Sequence, residues 1–341
     1  MKRSTSKIKV AISCGDVNGV GLEVIIKTFL DPRMFDLCTP LVYGNSNVSK
    51  AYRKQLGTQD FSFNMIQNHA KSNVKKVNLI SISEEDIEVN FGAITDQTGK
   101  LAYESITHAT DALASNHADV LVTAPIHKQN IPWEDDNVKG HTEYLANYAN
   151  EDHPLMMMVH NSLRVGVVTG HVPLKDVSSV LTKEKIVTTL EVFRKSLVQD
   201  FNIHQPKIAV LGLNPHAGDN GVIGKEELEM IIPAIDAFNA DNNVALGPFA
   251  SDGFFGSGQF KKFDGVLAMY HDQGLIPFKT ISNNEGVNFT AGLPIVRTSP
   301  DHGTAFDIAG KNIADPNSFR NAIYLASDIF RNRKNYREIT Q

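Results

Sequence analysis

Short apolar runs recur along the chain, each closed by a polar or glycine-rich break and followed by a stretch with apolar residues at helical spacing. "KVAISCG" (9–15) reads as a buried strand and "EVIIKTFL" (23–30) as the helix after it. "PLVYGN" (40–45) and "DVLVTAPI" (119–126) are further strands, and "TGKLAYESITHATDALAS" (98–115) is a long helix before the second of these. "LRVGVVTGH" (163–171), "IAVLGLNPH" (208–216) and "GVLAMYH" (265–271) complete the set. Strands alternating with helices predict an α/β fold with a largely parallel sheet. No repeat, low-complexity tract or Gly/Ser linker interrupts the pattern, and the long middle predicts a second α/β lobe. The "LMMMVH" run (155–160) reads as core or interface packing.

Composition narrows the function classes. The 341 residues, 42% of them hydrophobic, are enough for two domains or one large α/β unit. A formal net charge of −5 without a basic run argues against a nucleic-acid partner. Two cysteines, Cys14 and Cys38, are too few for a disulfide framework and read as small core residues. The start, "MKRSTSKIKV", lacks the apolar core of a signal peptide, and no apolar run approaches the roughly 18 residues of a membrane span. A soluble, cytoplasmic protein with no membrane partner is expected.

Three histidines change the picture. His171, His216 and His271 each fall at or just after the carboxyl end of a strand-like run. Ligands of open α/β sheets bind outside those ends, so the three side chains can converge although they are far apart in sequence. Three neutral imidazoles suit a borderline divalent metal such as zinc, cobalt or manganese. The competing reading is three ordinary loop histidines, since no tight HExxH-type spacing sharpens the pattern. Asp272 follows His271, and Lys279 lies further along the same stretch. His69, His108 and His153 read as surface or satisfied residues.

Two glycine-containing segments bear on a cofactor. "GDVNGVGLE" (15–23) follows the first strand, where a dinucleotide fingerprint would sit, but its glycine spacing is wrong and no acid ends the second strand. It reads equally as a tight turn into a helix and as a loop approaching a ligand. "DHGTAFDIAGKNIADP" (301–316) resembles the nicotinamide-nucleotide loop of the isocitrate and isopropylmalate dehydrogenases, with Phe306 in place of its proline. In that resemblance His302, Gly303, Thr304 and Asp307 bind the nucleotide.

The resemblance then extends from end to end. "GDVNGVGLE", "VTAPIHK" (122–128), "GHTEYLA" (140–146), "TGHVPL" (169–174), "LNPHAGDNGVIGKEE" (213–227), "GPFASDGFF" (247–255), "AMYHDQGLIPFK" (268–279) and "GVNFTAGLPIVRTSPDHGTAFDIAG" (286–310) are similar to the 4-hydroxythreonine-4-phosphate dehydrogenase family. Two stretches depart from it. Val17 and Leu22 stand where the family usually has prolines, and Gly253-Phe254 stand where it usually has Thr-Leu.

The resemblance implies an isocitrate/isopropylmalate dehydrogenase-like fold with two α/β lobes and a cleft between them. Residues 1–139 with 289–341 would form the nucleotide-side lobe, and 140–288 the metal, substrate and dimerisation lobe. His171, His216 and His271 become the metal ligands, for one divalent zinc, magnesium, cobalt or manganese ion per subunit. His141, Thr142, Lys279, Asn288 and Arg297 become substrate-binding residues. Asp252 and Asp272 would lie near the metal as candidate proton-transfer groups, Lys128 is a third candidate catalytic residue on weaker grounds, and Asp16 is compatible with a site. The implied activity is NAD-dependent oxidation of 4-phosphooxy-L-threonine, with NADP the alternative cofactor, in a homodimer whose active site borrows residues from the partner chain. Related substrates, 4-phospho-D-threonate and 4-phospho-D-erythronate, and a nucleotide-independent metal hydrolase are the alternatives.

Overall fold

The computed structural model describes residues 7–58, 61–135 and 138–340. The first six residues, which belong to the amino-terminal stretch read for a leader, lie outside them. Among the described residues the strands are β1 (Ile8–Ser13), β2 (Cys38–Gly44), β3 (Asn64–Ile66), β4 (Asn78–Ser81), β5 (Val120–Thr123), β6 (Leu155–His160), β7 (Leu163–Thr169), β8 (Lys207–Leu211), β9 (Val244–Phe249), β10 (Gly265–Tyr270), β11 (Val287–Ala291) and β12 (Arg297–Pro300). The chain divides into two compact α/β units, residues 1–144 with 295–330 and residues 145–294 with 331–341. The expected α/β class is thus observed. The sequence placed its divisions at 139/140 and 288/289, where no change of composition marks a boundary.

In the first unit the strand order is β3-β4-β2-β1-β5-β12, and the neighbours run parallel. β1 and β2 are continuous apolar runs because parallel strands are covered on both faces; Val10, Ala11, Ile12, Leu41 and Val42 have no exposure. The helix Asp96–Ala114 covers them with Leu101, Ser105, Ile106 and Ala109 at helical spacing, and Thr95 caps its start by accepting from the Thr98 amide. The Ser105 hydroxyl donates to the Tyr43 carbonyl and accepts from the Cys14 amide, so one buried polar group ties helix to sheet. Cys14 and Cys38 are buried and unbridged, as expected, and burial pushes the Cys14 thiol up to about 12, which keeps it inert.

In the second unit the order is β11-β6-β7-β10-β8-β9. β7, β10, β8 and β9 are parallel, while β6 is antiparallel to both of its neighbours. The methionine run is β6, with Met157 and Met158 in the core. The helix Lys183–Gln199, capped by Thr182, buries Ile186, Leu190, Phe193 and Leu197. Phe254 is one of the two departures at 253–254. It is fully buried beside Phe249 and Phe263, with ring centroids 5.1 and 5.7 Å away, so the larger residue fills core space.

Candidate active site

Three adjacent parallel strands, β7, β10 and β8, deliver the three histidines to the same edge of the second unit. Thr169 and Tyr270, the last residues of β7 and β10, are register partners. His171 follows β7 by two residues and His271 starts the helix His271–Ser282 directly after β10. Their rings stand 5.9 Å apart. With Tyr270 and Asp272 they line a cavity of about 420 Å³. Nδ1 of His271 lies 2.7 Å from Oδ1 of Asp272. A carboxylate in this position accepts, so in the neutral imidazole Nδ1 carries the hydrogen and Nε2 is left with its lone pair for a ligand.

His216 sits on the segment Pro215–Gly221 after β8, exposed and not gathered with the other two. Among the described residues no three His, Cys, Asp or Glu side chains stand close enough to hold a metal ion. From His216 to Asn220 the backbone is left-handed throughout, with φ between 43° and 78°. This conformation costs roughly 1–2 kcal/mol for each non-glycine residue, and four of the five are not glycine. Asp252, near the start of the helix Ser251–Gly256, is exposed, and so is Lys279 in the last turn of His271–Ser282. Asn288, on β11, is half-buried, and its Oδ1 has no hydrogen-bond partner among the described residues.

Gln273, which the sequence did not single out, connects these pieces. Its Nε2 donates to the Gly212 carbonyl at 2.5 Å and to Ser251 Oγ at 2.8 Å, and its Oε1 accepts from the Met269 amide at 2.7 Å. One nearly buried amide thus links the end of β10, the end of β8 and the residue before Asp252. Its only sequence signal is its place in the "HDQG" helix entry, one residue after Asp272.

In the first unit the segment resembling the nucleotide loop rests on the glycine loop 15–23. Every residue from Gly15 to Glu23 is buried. The Val20 amide donates to the Thr304 carbonyl at 2.9 Å, and a Cβ on Gly19 would stand 2.6 Å from that same oxygen. The Tyr52 hydroxyl donates to the carbonyls of Val17 and Gly19. Glu23, without exposure, accepts from the Ala314 amide at 2.9 Å, while Lys27 donates to the Ala314 carbonyl at 2.9 Å and to Glu23 at 2.8 Å. The loop supports the 301–316 segment from beneath; Val17 and Leu22 are accommodated as core residues. Asp16 is engaged in the same turn, accepting from the Asn18 amide and the Asn130 side chain. Above it, His302 places Nδ1 2.9 Å from the Gly303 carbonyl, and its Nε2 is buried with no partner among the described residues. Thr304 is half-buried, whereas Gly303 and Asp307 are exposed.

A second cluster of the first unit gathers the "GHTE" residues with the basic groups. Arg297 is buried on β12 and donates through Nε and Nη2 to Thr123 Oγ1 at 3.1 and 2.7 Å. Burial holds its guanidinium down to about 10, with Glu143 opposing, so it remains charged at neutral pH. Burial, then Arg297 and Lys128, holds His141 well below the ordinary histidine range. His141 is therefore neutral, and its buried Nε2 has no partner among the described residues. Thr142 is half-buried beside it, and Lys128 is exposed with its side chain against Gly140. Buried orphan atoms occur elsewhere too, at Thr28 and Trp133 for example; those of His141, Asn288 and His302 fall on residues with predicted binding roles.

Fold and strand-end donor groups together define an α/β protein of the dehydrogenase type, with functional residues carried at the carboxyl ends of parallel strands. The pattern of the family described as pyridoxal phosphate biosynthetic protein PdxA matches residues 36–326, and the chain belongs to that family. The 4-hydroxythreonine-4-phosphate dehydrogenase of Bacteroides thetaiotaomicron is 46% identical over 330 residues, spanning 96% of this chain and 90% of the relative. Among solved structures, the 4-hydroxythreonine-4-phosphate dehydrogenase of Klebsiella pneumoniae is similar with a TM-score of 0.81 at 32% identity, covering 97% of this chain and 99% of that one. The enzyme of that name from Burkholderia phymatum gives 0.78 at 34%, covering 95% and 98%.

Proposed function

We infer that the protein is an NAD-dependent, divalent-metal-dependent 4-hydroxythreonine-4-phosphate dehydrogenase of pyridoxal 5′-phosphate biosynthesis. The reaction oxidises the substrate hydroxyl, giving 2-amino-3-oxo-4-phosphooxybutanoate, NADH and a proton. The 3-oxo acid then loses CO2 to 3-amino-2-oxopropyl phosphate. The observation that carries this reading is the His171–His271 pair at adjacent strand ends in a chain so similar to enzymes of that name. The donor chemistry fits a borderline divalent cation: two imidazoles, one oriented by a carboxylate, with His216 as the third ligand from the strand next to β10. When bound, the cation supplies Lewis acidity to the substrate hydroxyl and the nicotinamide supplies a hydride acceptor.

The chain's own residues do the rest. Asp272 fixes the His271 tautomer. Neutral His141 offers its unpartnered Nε2 to the substrate, in a field set by Arg297 and Lys128 that favours an anionic substrate group. Lys279 adds an exposed cation suited to a phosphate, and Thr142 and Asn288 supply neutral hydrogen bonds. Asp252 is the remaining candidate for proton transfer. His302, Gly303, Thr304 and Asp307 hold the nucleotide on the segment that the 15–23 loop supports. The working form is a cytoplasmic homodimer whose active site draws on both subunits.

The test is NADH formation, followed at 340 nm with added zinc, magnesium, cobalt or manganese, on a panel containing 4-phosphooxy-L-threonine, 4-phospho-D-threonate and 4-phospho-D-erythronate. Preference for the amino acid is expected. Preference for either acid reassigns the substrate, and phosphate release without NADH makes the protein a hydrolase.

A further inference from the structure

The segment that carries His216 is held in its left-handed form from outside. The His216 side chain is exposed, so its direction starts from the backbone conformation and not from packing around the ring. Runs of non-glycine residues with positive φ persist only where the surroundings over-determine them, and such runs cluster at functional sites. Here the over-determining group is the carboxylate of Glu227, which is nearly without exposure. Its Oε1 accepts from the amides of Leu213 and Asn214, both at 2.7 Å, and its Oε2 accepts from Asn214 Nδ2 at 2.9 Å. The loop closes around it so tightly that a Cβ on Gly218 would stand 2.5 Å from Oε2. Glu227 also opens a turn of π-helix, Glu227–Ile231, a register shift frequent at functional sites. Neighbouring Glu226, by contrast, touches the loop through one bond to Asn214 Nδ2 at 2.7 Å.

We propose that Glu227 is the positioning residue for His216: its buried carboxylate fixes Leu213 and Asn214 at the exit of β8 and thereby sets the left-handed turn that presents the imidazole to a divalent cation. The proposal rests on the reading of His216 as a metal ligand and adds the residue that makes it one. Glu227→Gln keeps the shape but replaces a charged acceptor with a neutral one and turns an amide donor toward the Asn214 amide. Charge-assisted bonds are about twice as strong as neutral ones, and loss of a supporting group around a metal ligand costs about 10–100-fold in affinity.

The experiment measures Zn²⁺ affinity by competition with a chromophoric chelator, NAD affinity by calorimetry and thermal unfolding for the wild type, Glu227→Gln, Glu226→Gln and His216→Ala. The expected result is a Zn²⁺ affinity about 10–100-fold weaker in Glu227→Gln. His216→Ala should lose more, Glu226→Gln should change less than about threefold, and NAD affinity should be unchanged throughout. Wild-type Zn²⁺ binding by Glu227→Gln, with loss in His216→Ala, overturns the positioning role and leaves the metal reading standing. Wild-type binding by His216→Ala overturns both. Parallel loss of Zn²⁺ and NAD in Glu227→Gln makes the residue a general structural one and also overturns the proposal. Should Glu227→Gln fail to fold, Gly218→Ala tests the same contact from the loop side, with the same loss of Zn²⁺ expected and an unchanged affinity refuting.

Discussion

Replacing Gln273 with leucine separates the organisation of the strand ends from the donor groups themselves. The side chain is nearly buried, so leucine fits the space by volume, but it can neither accept from Met269 nor donate to Gly212 and Ser251. The Met269 amide and the Gly212 carbonyl then each lose a partner in a buried setting. An unsatisfied buried group costs about 1–3 kcal/mol, so the two together predict roughly 2–6 kcal/mol, offset in part by the apolar area leucine buries. Urea unfolding, monitored by circular dichroism, measures this as a shift of midpoint at constant slope. Function should suffer beyond stability, because Gln273 is the group shared by the ends of β10 and β8 and by the residue before Asp252. At a temperature where the variant remains folded, kcat/KM for the oxidation should drop at least about tenfold, equivalent to about 1.4 kcal/mol of transition-state stabilisation. Gln273→Glu should be intermediate, keeping the acceptor for Met269 while setting a second oxygen against the Gly212 carbonyl. A destabilisation below about 1 kcal/mol with unchanged kcat/KM in Gln273→Leu would refute the reasoning.

Other expectations concern the remaining clusters. Asp307→Lys should weaken NAD binding at least about tenfold by calorimetry, as expected for loss of a charge-assisted contact, and leave the unfolding temperature unchanged; unaltered NAD affinity would remove the nucleotide role of 301–316. Arg333→Met should cost about 3–5 kcal/mol in urea unfolding, because it strands the buried Asp200 carboxylate that Arg333 meets at 2.6 Å; a cost under about 1 kcal/mol would show the pair to be unimportant. His141 is held neutral in the fold while the unfolded chain takes up a proton below its ordinary range. Its contribution to stability is therefore complete above about pH 6.5 and is lost as pH falls from there toward the lower folded value. Comparing unfolding of the wild type and His141→Asn from pH 7.5 to 5 should show a slope up to about 1.4 kcal/mol per pH unit shallower in the variant, and equal slopes would contradict a buried neutral imidazole.

The strands and the helices that cover them were legible because burial on both faces writes a continuous apolar run. β5, β7 and β10 fall within the stretches the sequence marks, and β1, β2 and β8 overlap theirs, starting at Ile8, Cys38 and Lys207, just before the marked runs. The three histidines were legible for a topological reason: a residue just past such a run sits at a strand end whatever its neighbours. Shorter strands left no comparable trace. β12, "RTSP", carries a charge and a proline, and becomes a strand only because β5 pairs with it and Thr123 receives the Arg297 guanidinium. β9 contains a glycine and a proline and is half exposed. The roles of Gln273 and Glu227 were not legible because they satisfy backbone groups of residues such as Gly212, 61 positions away, and Leu213 and Asn214, 14 and 13 positions away, and such partners have no spacing rule.

The glycine loop 15–23 shows why a motif's position in the fold outweighs its spelling. Read alone, it is equally a turn and a ligand loop. Its glycines permit close backbone approach, and the approach in the structure is to Thr304, with Tyr52 locking the other side. A loop whose every residue is buried has no surface left for a phosphate; Gly19 serves the segment above it, while Gly15 and Gly21 pack against Pro125 and Cys14 of its own surroundings. That segment offers what a nucleotide loop needs: an exposed acid at Asp307, an exposed glycine at Gly303 and a buried imidazole nitrogen at His302 without a protein partner among the described residues. The misfit to the dinucleotide fingerprint follows directly. In the proposed reading the nucleotide role belongs to 301–316, and the place after the first strand serves as its foundation, clamped at the far end by Glu23 and Lys27 on Ala314.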